Sequence, residues 1–222
     1  MRRCEVLVVG GGAVGAATAW QLAARGADVV LLERWSPGHH HGSSHGATRI
    51  FRLAYDTTHH GAMAVEAGRL WRQLEEESGQ VLLEVTGGLD LGDEQTIAGI
   101  EANLSHLGQA HERVSAADAA DRWPGFAVDG RDDVILFSPD AGRLWAERAV
   151  QALHDAAAAR GCEVRTDEPA LTIDAPTGHV ATERDEYVAE TVVLTAGAWT
   201  PGLLATMPES YLAGLPPFAV TR

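Results

Sequence analysis

The chain has 222 residues, 17 basic and 31 acidic, for a formal net charge of −14. An apolar share of 45% and a charged share of 22% describe a globular protein of one or two domains. They exclude a disordered chain, a collagen-like chain and a disulfide mini-protein, and the acidic balance argues against a general nucleic-acid binder. No uncharged apolar run reaches the roughly 18 residues of a membrane-spanning helix. Every basic residue is arginine, so chemistry that needs a lysine amine, such as a Schiff base, is closed to this chain. Cys4 and Cys162 show neither metal-ligand nor CxxC spacing and read as reduced thiols of a cytoplasmic protein.

The opening reads as a βαβ unit. Glu5 to Val9 is β-rich and breaks at once into Gly10-Gly11-Gly12, too short an apolar run for a signal peptide and right for a buried parallel strand. Ala13 to Arg25 has helical composition, Gly26 is placed to end it, and Asp28 to Leu32 is a second strand running into Glu33. The turn is Gly10-x-Gly12-x-x-Gly15, and each glycine has a physical task. Gly10 permits the tight exit, Gly12 lets backbone approach a pyrophosphate, and Gly15 lets helix pack against sheet. The N–H groups at the helix start, around Ala13 and Val14, favour phosphate. Glu33, about 20 residues on, suits the ribose hydroxyls of an adenosine and repels a 2′-phosphate. This fingerprint indicates a dinucleotide and leaves NAD and FAD open.

After the turn that starts at Arg34, where an ordinary second crossover helix is due, comes a long loop: Ser43-Ser44-His45-Gly46-Ala47-Thr48-Arg49-Ile50-Phe51-Arg52. Its hydroxyls suit cofactor phosphates or ring edges, and its guanidiniums suit an anionic flavin or a substrate carboxylate. Ala62 to Ser78 is an amphipathic helix ended by Gly79, and its Glu75-Glu76-Glu77 run reads as a solvated end. Val81 to Leu91 suggests strands around a glycine turn. Glu94 to Leu107 and Ala116 to Arg122 suggest helices, and Val134 to Phe137 a strand. Leu144 to Arg160 is a strong helix, with Trp71 and Trp145 on core-facing helical sides. Glu163 to Thr166, Leu171 to Asp174, Val180 to Thr182, Tyr187 to Val188 and Thr191 to Leu194 are short strands. His39, His40 and His41 diverge in a Gly/Pro loop, and no carboxylate or thiol at ligand spacing completes a metal shell there.

From the glycine fingerprint through Ser-x-His-Gly-x-Thr-Arg-x-x-Arg the chain resembles the monomeric sarcosine oxidase and N-methyltryptophan oxidase family, FAD enzymes of the D-amino-acid-oxidase-like superfamily. Arg122-Trp123-Pro124-Gly125, Asp140-Ala141-Gly142-x-Leu144 and Thr195-Ala196-Gly197-Ala198-Trp199 extend the resemblance. It implies an α/β, overall α+β, fold: a Rossmann-like FAD-binding domain with a parallel sheet, over residues 1–85 and 145–210, and part of an antiparallel-sheet substrate domain, over 86–144 and 211–222. Ala170 would lie against the adenine, and Ala196 and Gly197 beside the pyrophosphate or ribityl chain. Arg49 would stabilise reduced flavin, Arg52 would pair with a substrate carboxylate, and His45 would hydrogen-bond the flavin edge. With Gly10, Gly12, Ala13, Val14, Gly15, Glu33, Arg34, Ser43 and Thr48, these form the expected cofactor and substrate set.

Family members run to nearly twice this length, and the cysteine and lysine that act in the sarcosine oxidases have no counterpart here. The resemblance therefore implies an N-terminal part of an enzyme, truncated or completed by a partner subunit. It implies oxidation of the C–N bond of a secondary or N-methyl amino acid, with O₂ as electron acceptor, imine and H₂O₂ as products, and neither nucleic acid nor membrane as partner. The alternatives are an FAD dehydrogenase that passes electrons to a partner protein, or a dinucleotide-binding subunit without turnover.

Overall fold

A computed structural model describes residues 1–126 and 134–213. In chain order the elements are β1 (Arg2–Val9), α1 (Ala13–Ala24), β2 (Val29–Leu32), β3 (Thr48–Phe51), α2 (Thr58–Ser78), β4 (Leu83–Val85), β5 (Gly88–Gly92), α3 (Glu94–His106) and β6 (Glu112–Val114). They continue with α4 (Ala116–Arg122), β7 (Val134–Ser138), β8 (Gly142–Trp145), α5 (Ala146–Ala159), β9 (Glu163–Arg165), β10 (Thr172–Asp174), β11 (His179–Ala181), β12 (Glu186–Leu194), α6 (Thr200–Leu204) and α7 (Glu209–Leu212). Two compact units result: Met1–Ala47 with the described part of Ala146–Arg222, and Thr48–Trp145. The division falls at Thr48, so residues 48–85 group with the second unit by compactness, while the resemblance counts them in the FAD-binding domain.

The first unit carries a six-stranded sheet in the order β10-β11-β12-β1-β2-β9. β1 lies parallel to both β2 and β12, β2 lies parallel to β9, and β11 runs antiparallel between β10 and β12. All four residues of β2 are buried, as a strand covered on both faces requires. On one face Cys4, Leu7, Val9, Val30 and Leu32 meet Ile173, Val180, Tyr187 and Ala189. α1 and α5 bury alanine-rich sides: Ala16, Ala19 and Ala23 on the first, Ala149, Ala152, Ala156 and Ala157 on the second. Small side chains let helices pack closely, and Gly26, in the left-handed region at φ 84°, follows the end of α1. The two short strands expected over 187–194 form one, β12.

The second unit holds two three-stranded antiparallel sheets, β3-β8-β4 and β5-β7-β6. Thr48 to Phe51, read from sequence as loop, is a strand paired with β8 from Thr48 against Trp145 to Phe51 against Gly142. Trp145 accordingly ends a strand, and the helix expected from Leu144 starts at Ala146. β4 and β5, which flank the expected glycine turn, join different sheets. Asp93 caps α3 by accepting from Thr96 N–H at 2.8 Å. Glu75 is not solvated as expected. Its Oε1 accepts the N–H groups of Leu82 and Leu83 at 2.7 and 2.8 Å, and its Oε2 accepts from Arg72 at 2.6 Å. Burial is the largest single influence on that carboxyl and raises its pKa. The Leu83 N–H, Arg72 and the Leu82 N–H together outweigh burial and hold it below its ordinary value.

Candidate functional site: a glycine-walled cleft in the first unit

The cleft, about 700 Å³, opens where β1 and β12 end and α1 begins. Gly10 leaves β1 at φ 106°, with its N–H on the Leu32 carbonyl at 2.8 Å. A Cβ there would lie 2.6 Å from the Thr195 carbonyl oxygen, so only glycine fits. Gly12 is the N-cap of α1, in extended conformation. Gly15 faces the sheet: a Cβ would lie 2.5 Å from Thr195 Oγ1 and closer still to the Gly10 carbonyl oxygen. Helix α1 therefore approaches the sheet as closely as backbone permits, and its N-terminus points into the cleft wall.

The first turn of a helix has N–H groups without intrahelical acceptors. The Ala13 N–H donates to Ser44 Oγ at 3.0 Å. No protein acceptor meets the N–H groups of Gly12, Val14 and Gly15 among the described residues. Unpartnered donors at a positive dipole end fit a pyrophosphate. Glu33, 6% exposed, stands at the end of β2. Its Oε2 accepts the Gly11 N–H at 2.7 Å and its Oε1 the Trp35 N–H at 3.0 Å, with His39 Nε2 at 3.4 Å from Oε1. A carboxylate offers about four lone-pair positions, so this one keeps acceptor capacity for ribose hydroxyls. Around it the Trp35 ring stacks on His41 at 4.7 Å and meets Trp199 edge-on at 4.6 Å, with the Arg34 guanidinium 5.4 Å from its centroid. Aromatic faces of this kind suit a purine. The donor set fits a dinucleotide.

Of the expected residues, Gly10, Gly12, Ala13, Val14, Glu33, Arg34, Ser43, His45, Ala170, Ala196 and Gly197 line this one cleft. Gly15 sits behind it as the packing glycine. His45 is held through Nδ1 by the Gly42 carbonyl and stacks on His40 at 5.4 Å. Thr48 and Arg49 stand on β3 in the second unit, where Arg49 donates to the Thr48 carbonyl at 2.7 Å. Arg52, also in the second unit, lies 5.0 Å from the Tyr55 ring and faces Asp90, whose pKa burial raises and Arg52 draws back down.

Sequence reasoning missed Trp35, His39 and His154 as site residues, and quoted Ser44 and Trp199 only as members of their segments; all five line the cleft. His154 left no sequence signal at all: it sits on α5, 143 positions from the Gly11 carbonyl it meets. Among the described residues no three His, Cys, Asp or Glu side chains gather to hold a metal, and no helix is long and apolar enough to cross a membrane.

Comparison with known proteins places the chain in a family. The model of the family described as FAD dependent oxidoreductase matches residues 5–220. Human peroxisomal sarcosine oxidase is 36% identical over 203 residues, 90% of this chain and 52% of that protein. Monomeric sarcosine oxidase of Bacillus sp. strain NS-129 is 33% identical over 91% of this chain and 54% of its own length. N-methyl-L-tryptophan oxidase of Yersinia pestis strain Pestoides F is 30% identical, with coverages of 92% and 56%. Among solved structures NikD, an unusual amino acid oxidase essential for nikkomycin biosynthesis, superposes with a TM-score of 0.78 at 35% identity, over 92% of this chain and 54% of that one. The chain thus spans about half the length of the relatives it matches. It belongs to the FAD-dependent oxidoreductase family, is similar over its length to sarcosine and N-methyltryptophan oxidases, and FAD is its cofactor.

Proposed function

We propose that this chain supplies the FAD-holding part of an oxidase for secondary or N-methyl amino acids. The observation that carries the reading is the row of unpartnered N–H donors at α1 with Glu33 in the same wall, in a chain that matches this family along nearly its whole length. The α1 donors hold the pyrophosphate, Glu33 holds the adenosine ribose, and the Trp35 and Trp199 rings cover the adenine end. Bound FAD supplies a two-electron acceptor: the amine loses a hydride equivalent and a proton to give an imine, and the electrons leave on O₂ as H₂O₂. The flavin-stabilising role of Arg49 and the carboxylate-pairing role of Arg52 rest on the resemblance of their loop. Fixed positive charge is what a reduced, anionic flavin and a carboxylate both require. The two free cysteines fit a reducing, cytoplasmic setting.

The test starts with the purified 222-residue chain. It should bind FAD, with a flavin absorption band that survives gel filtration and with ADP as competitor. A panel of N-methyl and secondary amino acids is then assayed for peroxide and, separately, for reduction of an artificial electron acceptor. Peroxide formation supports the oxidase, and dye reduction without peroxide supports a dehydrogenase serving a partner protein. A folded chain that binds neither FAD nor ADP refutes the reading.

A further inference from the structure

We infer that His154 is a positioning residue for the pyrophosphate site, acting through the peptide that joins Gly11 to Gly12; this rests on the FAD reading above. His154 is 7% exposed on α5, and its Nε2 lies 2.7 Å from the Gly11 carbonyl oxygen. A carbonyl only accepts, so Nε2 carries the proton and donates, in the Nε2–H tautomer and in the imidazolium alike.

The consequence follows from peptide planarity. In a trans peptide the C=O and N–H vectors are antiparallel, and the chain has no cis bond among the described residues. With the Gly11 carbonyl fixed on His154, the Gly12 N–H points the opposite way. Gly12 lines the cleft, and its N–H meets no protein acceptor among the described residues. His154 thereby aims a donor it does not touch. On the preceding side, Glu33 Oε2 grips the Gly11 N–H at 2.7 Å, so both peptides that flank Gly11 are pinned. Pinning matters at this residue because glycine resists peptide rotation less than any other. A rotated 11–12 peptide would turn a carbonyl oxygen toward the phosphates and remove one of their donors. The glycine is itself demanded by the clamp: a Cβ on Gly11 would lie 2.9 Å from Glu33 Cβ and 3.1 Å from His154 Nε2.

The test uses the 222-residue chain and three probes, FAD, ADP and adenosine, titrated by fluorescence or calorimetry. His154→Phe keeps the ring volume and removes the donor, and His154→Leu takes its place if the Phe protein does not fold. His154→Gln keeps a donor at the reach of Nε2. Loss of the donor should weaken FAD and ADP by about tenfold or more, since the bond aimed at is one to a charged group, and should leave adenosine within about threefold. The Gln variant should recover most of the ADP affinity. Equal losses for adenosine and ADP point to general loosening and overturn the inference, as does unchanged ADP binding or a Gln variant no better than Phe. If the parent chain binds neither FAD nor ADP, the cofactor reading itself fails and takes this inference with it, an outcome readable before any variant is made.

Discussion

Gly15 and Gly99 make a matched pair for testing how closely α1 meets the sheet, because one substitution should change stability in opposite directions at the two sites. Both lie in helices, Gly15 near the start of α1 and Gly99 inside α3. Replacing a helical glycine by alanine gains at most about 1 kcal/mol of backbone entropy and propensity. At Gly99 nothing lies within 4 Å of the added Cβ, so Gly99→Ala should keep that gain, about 0.5–1 kcal/mol. At Gly15 the Cβ would sit 3.1 Å from the Gly10 carbonyl carbon, nearer to its oxygen, and 2.5 Å from Thr195 Oγ1. Thr195 cannot swing aside freely, because its hydroxyl donates to the Gly10 carbonyl at 2.8 Å. The Gly10 oxygen is backbone and has no rotamer to change. Helix α1 must therefore move off the sheet, while its other side packs on α5. Overpacking of this kind costs about 1–3 kcal/mol, and a backbone obstacle belongs at the upper end. The net loss is then about 2 kcal/mol, or roughly 4–8 °C in melting temperature for a chain of this size. Thermal melts by circular dichroism give the sign, and hydrogen exchange of the α1 and α3 amides assigns it to the helix concerned. A Gly15→Ala protein as stable as its parent would falsify the close approach on which the cleft geometry depends.

Two further outcomes follow from charge and burial. Glu75→Ala strands the N–H groups of Leu82 and Leu83 and should cost about 1–3 kcal/mol for each buried donor in urea unfolding. The folded-state pKa of Glu75 lies below its ordinary value of 4.5, so its contribution is complete above that pH and is lost as pH falls through the folded value. The stability gap between parent and Glu75→Gln should narrow between pH 7 and pH 3.5, and a gap that stays constant contradicts the carboxylate's role. Cys4 and Cys162 are buried, and burial pushes both thiols up to about 11. With about one thiol in a thousand ionised at pH 8, Ellman's reagent should label neither until the chain is unfolded; rapid labelling of the folded chain argues against that burial.

The βαβ opening was legible because its signals are local. Four apolar residues running into glycines, an alanine-rich stretch closed by Gly26, and a β-branched run ending in an acid each determine their own backbone. β3 was not legible for the opposite reason. Thr48 to Phe51 is short and follows a Ser/Gly/His segment, and it becomes a strand only by pairing with residues 142–145, about a hundred positions later. Those residues were hidden too, since Leu144 and Trp145 continue the apolar period of α5 backwards and so read as helix. β12 was divided because Ala189 and Glu190 interrupt a β-rich run, yet parallel pairing with β1 carries the strand across them. Glu75 was misread because three consecutive acids look solvated, while the main chain of Leu82 and Leu83 returns to one of them.

The site divides along the same line. A glycine records in sequence the space or the dihedral that its own position needs, so Gly10, Gly12 and Gly15 announced the cleft. The roles of Arg49 and Arg52 were assigned through a resemblance; Arg49 lies on β3 and Arg52 just after it, both within the second unit. Gly11 is the instructive case. In the fingerprint it occupies a position open to any residue, and sequence reasoning gave it no task. The structure puts Glu33, at the end of β2, on one side of it and the His154 imidazole from α5 on the other; a Cβ would lie 2.9 Å from Glu33 Cβ, closer than a side chain tolerates, and 3.1 Å from His154 Nε2. A glycine at a position where the motif does not ask for one is therefore itself a signal: something packs against the turn from behind. Here that something is the Glu33 and His154 pair, which pins the two peptides flanking Gly11 and, on the reading proposed above, would aim the turn's donors at a pyrophosphate.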